Sequence, residues 1–295
     1  MIKKDLLSNK YFVAALFLLP ALLFSLVYLI IPIPLSAYYS FFKWDGIGAM
    51  EFLGFDNWIK LFRDPIFWSS MGNNFKLVAI SLIVQIPIAL FLAVLLTRKI
   101  KGASFFKTIF FVPMLISSVA VALLWRYMYD PSFGLFNSFL NLIGLEQFTQ
   151  SWLGNADIAF YSASAPIQWR FIPLYMIIFM AAIANIPKQL YEAAEIDGAN
   201  NWQSFIYVTL PILRSTVVNA SVLIIVGSLK YFAMIFALTG GGPNHASEVM
   251  ATYLYSKSFT EMNMGYGSTI SVALFLVALI VSVVFLRFSK KDVRN

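Results

Sequence analysis

The sequence predicts an all-α integral membrane protein with about six transmembrane helices, and three observations predict it. The 295 residues are 60% hydrophobic and only 12% charged, whereas a soluble domain carries about 25% charged residues. The apolar residues gather into six stretches, each near the roughly 20 residues that a helix needs to cross a bilayer. Basic residues flank those stretches unevenly, which is the mark of membrane topology. So large an apolar excess needs an apolar solvent. One membrane domain over 1–295 is expected, with no room for a sizeable soluble one.

The first span is expected at 12–38, with Pro20, Pro32 and Pro34. Its apolar run is far longer than the core of a secretory signal and lacks a small-residue cleavage site, so it reads as a retained signal-anchor helix. The next spans are expected at 74–96, containing Gln85 and Pro87, at 105–128 with Pro113, and at 161–186 with Pro173. The last two are expected at 212–238 and 266–288. Neighbouring helices can satisfy the carbonyls that an intramembrane proline frees. Pairs such as Ala89/Ala93 and Ser118/Ala122 permit close helix contact.

Three connecting loops are expected outside, at 43–71, 130–160 and 240–265. Turn signals stand at Asp130-Pro131, at Gly134 and at Gly240-Gly241-Gly242-Pro243. The opposite side carries Lys3, Lys4, Lys10, Arg98, Lys99, Lys101, Lys107, Lys188, Arg214, Arg287, Lys290, Lys291 and Arg294, thirteen basic residues in all. The external loops carry only Lys43, Lys60, Arg63 and Lys257. Basic residues translocate poorly, so both termini are expected in the cytoplasm, as an even number of spans also requires. The net charge of +7 therefore reads as topology, and no nucleic-acid partner is expected. With no cysteine, disulfides, thiol catalysis and thiolate metal sites are excluded.

The segment between the fourth and fifth spans, about 187–211, is the most informative. It reads Ile186-Pro187-Lys188-Gln189-Leu190-Tyr191-Glu192-Ala193-Ala194-Glu195-Ile196-Asp197-Gly198-Ala199-Asn200-Asn201-Trp202 and continues to Thr209-Leu210-Pro211. Pro187 suits a first helical turn. Glu192 and Glu195 lie three apart, on one face. Gly198 can end the helix with φ > 0, and Asn200 can cap a second short helix. Taken alone, this amphipathic helix is either a solvated loop helix with an acidic face or a helix that docks in another protein's groove.

The stretch resembles the EAA loop of ABC importer permeases: E-A-A, three residues, G, nine residues, I-x-L-P. Glu192-Ala193-Ala194, Gly198 and Leu210-Pro211 match at the family's spacing, and Val208 stands where isoleucine is usual. Leu238-Thr239-Gly240-Gly241-Gly242-Pro243 is similar to the L-T-x-G-G-P turn of the larger, F-like permease of maltose-type carbohydrate importers. Ile196-Asp197-Gly198-Ala199, Trp125 with Asp130-Pro131-x-x-Gly134, and Gly265-Tyr266-Gly267-Ser268 extend the likeness over nearly the whole chain. The extra N-terminal helices and large external domain of the maltose protein are missing, so the resemblance is to the shorter six-span members.

That resemblance implies a type I ABC importer permease in a bacterial or archaeal-type cell membrane. The implied partners are a second permease, a distinct G-like chain, two cytoplasmic ATPase subunits and an extracytoplasmic solute-binding protein that delivers a carbohydrate. Carried onto this chain, Glu192 pairs with a basic group of the ATPase. Ala193 and Ala194 allow close packing, and Asp197 and Gly198 complete the coupling turn. No Gly-Lys dipeptide occurs, so the phosphate-cradling loop G-x-x-x-x-G-K-[ST] is absent. ATP and Mg are expected on the partner ATPases, no cofactor or metal on this chain, and no catalytic residue.

For the solute path the candidates are Trp169, Arg170, Tyr175, Ser228, Lys230 and Tyr231, with Gln168 and Asn219 nearby. A charge at bilayer depth costs about 2.5–3.5 kcal/mol on insertion scales, so Arg170 and Lys230 need a cavity, another span or a headgroup. Lys230 is the strongest candidate for a cavity-facing cation and could favour an acidic sugar. Aromatic faces beside hydrogen-bonding groups suit sugars. The plainer alternative makes Trp169 and Tyr175 packing aromatics and lets Arg170 bond a carbonyl. His245, the only histidine, reads as a solvated loop residue. An ion-coupled secondary transporter would want intramembrane acids or an inverted repeat, and all fourteen acids lie in loops or near span ends.

Overall fold

A computed structural model of the chain describes residues 10–97 and 102–293. Of the basic residues counted for topology, Lys3, Lys4, Arg98, Lys99, Lys101 and Arg294 lie outside the described residues. Four helical stretches are long and apolar enough to cross a membrane, at 16–39, 65–97, 156–184 and 264–287. Two further pairs qualify only as bent spans, 103–115 with 118–128 at 98° and 201–212 with 214–229 at 66°. Six spans are reached if each bent pair counts as one.

The chain packs as two compact units. The first takes residues up to Arg63 together with 254–273. It opens with α1 (Lys10–Ser25), a π-helical turn (Leu26–Ile30) and α2 (Pro32–Tyr39). Pro32 and Pro34 cannot donate to the carbonyls a turn below, and the wide turn stands just ahead of them, closed by Ile31 N–H to Leu26 O at 2.9 Å. A two-residue antiparallel ladder, β1 (Phe42–Lys43) with β2 (Glu51–Phe52), follows. After it comes α3 (Asp56–Arg63). Asn57 fastens this unit, its Nδ2 donating to Ser40 O at 3.0 Å and Phe42 O at 2.9 Å.

The second unit takes 64–253 and the residues from Leu274 onward. Its elements are α4 (Pro65–Thr97), α5 (Ala103–Leu115), α6 (Ser118–Met128), α7 (Leu135–Leu142) and α8 (Ala156–Ala184). They continue with α9 (Lys188–Ile196), α10 (Asn201–Ser204), a π-helical turn (Phe205–Thr209), α11 (Leu210–Ile212), α12 (Arg214–Leu229) and α13 (Ala233–Thr239). α14 (Met250–Tyr255) runs over the end of the 64–253 stretch, and the long closing helix α15 (Met264–Val293) begins in the 254–273 segment of the first unit and belongs to the second from Leu274. The π turn at 205–209 again precedes a proline, Pro211. α4 lies along α8, and Ala89 and Ala93 are fully buried there with Tyr175, Met176 and Phe179. Small residues at that spacing let two backbones approach.

Several boundaries differ from those expected. α4 starts at Pro65 because Asp64 Oδ1 accepts from Ile66 N–H at 2.9 Å and Phe67 N–H at 3.3 Å, an N-cap followed by proline at N1. The first loop therefore stops short of 71. Asn155 caps α8 in the same way, accepting from Asp157 N–H at 3.0 Å, and α7 occupies part of the loop expected at 130–160. The 240–265 loop contains α14, and α15 begins at Met264. The third span breaks at Ile116 and Ser117, where both residues are extended and Ser117 caps α6. The fifth does not run unbroken over 212–238: α12 ends at Leu229 and α13 starts at Ala233.

The packing of α4 on α8 gives a test. Ala93→Leu forces a side chain into a filled seam and should destabilise the protein in detergent by about 1–3 kcal/mol. Phe91→Leu, on the 66% exposed side of the same helix, should stay within about 0.5 kcal/mol. Thermal unfolding followed by fluorescence checks both.

Candidate functional site: an acidic hairpin and a recess between spans

The segment 187–211 folds as a helical hairpin stiffened by local chemistry. Pro187 stands just before α9 rather than in its first turn. At the other end Gly198 takes φ +78°, donating to Glu195 O at 3.0 Å while Ala199 N–H reaches Ala194 O at 2.9 Å. Those two bonds are a Schellman ending. A Cβ on Gly198 would meet nothing within 4 Å, so its backbone conformation alone calls for glycine. Asn200 then caps α10 through Trp202 N–H and Gln203 N–H at 3.0 and 2.9 Å, and Gln203 Oε1 accepts from Asn200 N–H at 2.8 Å. The sequence predicted the Asn200 cap, and the returning bond to Gln203 makes it a reciprocal capping box. The Tyr191 hydroxyl meets Thr209 Oγ1 at 2.9 Å and joins the two arms.

The hairpin's surface carries both acids and bare apolar groups. Glu192, Ala193, Glu195, Asp197 and Gly198 are exposed and Ala194 is half-buried. Ile196 is 87% exposed, Tyr207 76% and Trp202 69%. Trp202 and Tyr207 fall in 201–212, which also forms the first half of the bent fifth span, whereas Ile196 stands among the acids of α9. Behind the hairpin, Thr97, Ile183, Lys188, Tyr191, Glu195 and Thr209 border a cavity of about 600 Å³.

The six path candidates separate into two groups. Tyr175, Ser228 and Tyr231 meet, with Gln85, Phe171 and Gly227, around a recess of about 40 Å³. That is room for a water or two, far below the ~300 Å³ at which ligand pockets begin. Trp169, Arg170 and Lys230 are not in its lining. Arg170 turns to the broken third span, donating from Nε to Ile116 O at 3.2 Å and from Nη1 to Ser118 Oγ at 2.7 Å. It thereby satisfies a carbonyl that the break leaves without a helical partner. Trp169 is 37% exposed and meets Trp125 edge-on at 6.0 Å. Lys230 is exposed at the C-cap of α12. The Tyr231 hydroxyl lies buried beside Arg170 and Ser118 without hydrogen-bonding geometry to either.

The residues that sequence reasoning left unassigned are amides. Gln85 Nε2 donates to Gln168 Oε1 at 2.7 Å inside the bundle, and Gln168 Nε2 to Ser164 O at 3.2 Å. Asn73 and Asn74, both buried, bond to the region of the glycine-rich loop. Amides inside apolar runs are the signal that could have flagged them. His245 is half-exposed, and its Nδ1 lies 2.8 Å from Oε2 of the buried Glu248.

Comparison with known proteins bears on the chain as a whole. Residues 85–291 match the family described as "Binding-protein-dependent transport system inner membrane component". The chain is 38% identical over 278 residues to a probable ABC transporter permease, YurN, of Bacillus subtilis (strain 168), covering 93% of this chain and 95% of that one. It is 34% identical over 266 residues to the diacetylchitobiose uptake system permease NgcF of Streptomyces coelicolor, covering 86% and 75%. Among solved structures it superposes on a chain of a bacterial alginate ABC transporter in complex with an alginate pentasaccharide-bound periplasmic protein. The TM-score is 0.86 and the identity 25%, over 98% of this chain and 97% of that one.

Two variants probe this geometry. Arg170→Lys cannot hold Ile116 O and Ser118 together and should destabilise the broken span by about 1–3 kcal/mol, read as a lower detergent melting temperature. Gly198→Ala places a Cβ in the left-handed region at a cost of about 1 kcal/mol. It should speed proteolysis within 188–209 while leaving the α4–α8 seam intact.

Proposed function

The chain belongs to the family of binding-protein-dependent transport system inner membrane components, and we propose that its 187–211 hairpin couples it to a cytoplasmic ATPase while its spans conduct a carbohydrate. The observation that carries the coupling role is the hairpin itself. It is rigid, acidic and apolar at once, with Glu192 exposed and Ala193-Ala194 beside it at the spacing of the EAA loop. Such a helix suits a groove in a partner, with Glu192 facing a basic group there. Stiff ends at Gly198 and Asn200 allow it to pass on rigid-body motion. In this reading ATP and Mg belong to the partner subunits, and this chain hydrolyses nothing.

The orientation follows from the basic residues: the hairpin and both termini face the cytoplasm, and the 240–265 loop faces outward. The substrate class rests on the company the chain keeps, since a diacetylchitobiose permease and an alginate importer both handle oligosaccharides by name. The recess supports a shared path. At about 40 Å³ it is a fragment of a wall that a second, distinct permease would complete. Tyr175, Tyr231 and Ser228 offer the ring faces and hydroxyls that sugars use.

Co-purification from detergent should recover a second permease and an ATPase with this chain. Glu192→Lys combined with Gly198→Ala should lower ATP-coupled uptake by about 30-fold, the loss of a ~2 kcal/mol interface hot spot, without loss of membrane insertion. Unchanged uptake in that variant would refute the coupling role. Calorimetry of the cognate binding protein against neutral and uronate oligosaccharides reads the substrate class, and no binding to either would remove the carbohydrate reading.

A further inference from the structure

We infer that Asn74 is a positioning residue that clasps both ends of segment 230–249, so that the break in the fifth span and the glycine-rich loop move as one body. Asn74 lies on α4 and is fully buried. Its Nδ2 donates to Ser228 O at 3.1 Å and Leu229 O at 2.9 Å, the last two carbonyls of α12. Its Oδ1 accepts from Met250 N–H at 2.8 Å, the first amide of α14. One amide thus caps the C-terminus of one helix and the N-terminus of another, serving acceptors and a donor that helix ends leave unpaired. Both of its N–H groups and one lone pair are used.

The residues between those two ends are stiff in themselves. α13 fills the first part. Beyond it Thr239 Oγ1 meets Ser247 Oγ at 2.7 Å, Ser247 Oγ donates to Gly242 O at 2.6 Å, and Gly241 N–H reaches Thr239 Oγ1 at 3.2 Å. Gly241, at φ +92°, lies against the Glu248 carboxylate so closely that a Cβ would fall 2.5 Å from Oε2. Glu248 is only 3% exposed, and His245 Nδ1 holds it at 2.8 Å. Asn73 adds a second tie, from Nδ2 to Ala246 O at 2.9 Å and Glu248 O at 2.8 Å, while Lys76 Nζ bonds its Oδ1 at 3.3 Å. Segment 230–249 is therefore a closed clasp, with Ser228 and Tyr231 of the recess at one end and the loop at the other. Resting on the functional reading above, a binding protein that displaces the loop would be felt at the path through Asn74.

Asn74→Asp is the sharp test, because it keeps the acceptor for Met250 N–H and removes both donors to α12. In the complete importer, reconstituted in nanodiscs, ATPase activity is measured with and without binding protein, and amide hydrogen exchange is followed by mass spectrometry. The variant should lose binding-protein stimulation by about tenfold, within the 5- to 150-fold range of allosteric coupling, with basal ATPase unchanged. Exchange should rise together at 230–232 and 247–250 and stay unchanged at 163–179. Asn73→Ala should loosen 246–248 alone. If Asn74→Asp does not assemble, Asn74→Ser reads the same quantities. Should the unaltered importer show no stimulation, the functional reading fails, and exchange alone decides the clasp. Undiminished stimulation, or protection at 230–232 that persists when 247–250 opens, overturns it.

Discussion

A backbone inside lipid has no water to bond, so every break in a span must find its partners within the protein. That constraint organises the second unit. The third span breaks at Ile116 and Ser117, and Arg170 reaches across from α8 to take the freed carbonyl. The fifth breaks after Leu229, and Asn74 reaches across from α4 to take two carbonyls. In each case a polar side chain that is costly in an apolar helix is kept because it completes the backbone of its neighbour. The cost and the break explain each other.

The same reasoning accounts for two of the prolines. Pro32 and Pro211 each remove a donor from the helical ladder, and each follows a π-helical turn that widens the backbone ahead of it. The hairpin beyond the fourth span is stiff for a different reason: Gly198 closes one helix and Asn200 opens the next through local bonds, and Tyr191 ties the two arms together at Thr209. A lever with local stiffness can transmit force without belonging to the hydrophobic core, which suits an element whose partner is another protein.

Legibility followed range. The glycine stop and the asparagine cap could be read because each depends on residues within five positions, whereas the Tyr191–Thr209 tie between the arms spans 18. Helix starts at Pro65 and Ala156 were missed because hydropathy sees composition, while Asp64 and Asn155 set those starts by capping. Tyr175, Ser228 and Tyr231 converge, but Arg170 points to another span. Which face a residue takes on an apolar helix is decided by neighbours, and an amphipathic pattern is lacking where every face is apolar.

By itself the sequence determined the solvent this chain requires, the number of apolar stretches and the family hairpin with its glycine stop and asparagine cap. All of these follow from composition or from contacts a few residues apart. Only the tertiary structure decided where two spans break, that Arg170 and Asn74 serve those breaks, and that Gln85 meets Gln168. Those pairings join residues 52 to 176 positions apart, and most of their partners, those at Ile116, Ser228, Leu229 and Met250, are backbone groups that every residue carries alike. No pattern of side chains along the chain can announce a carbonyl.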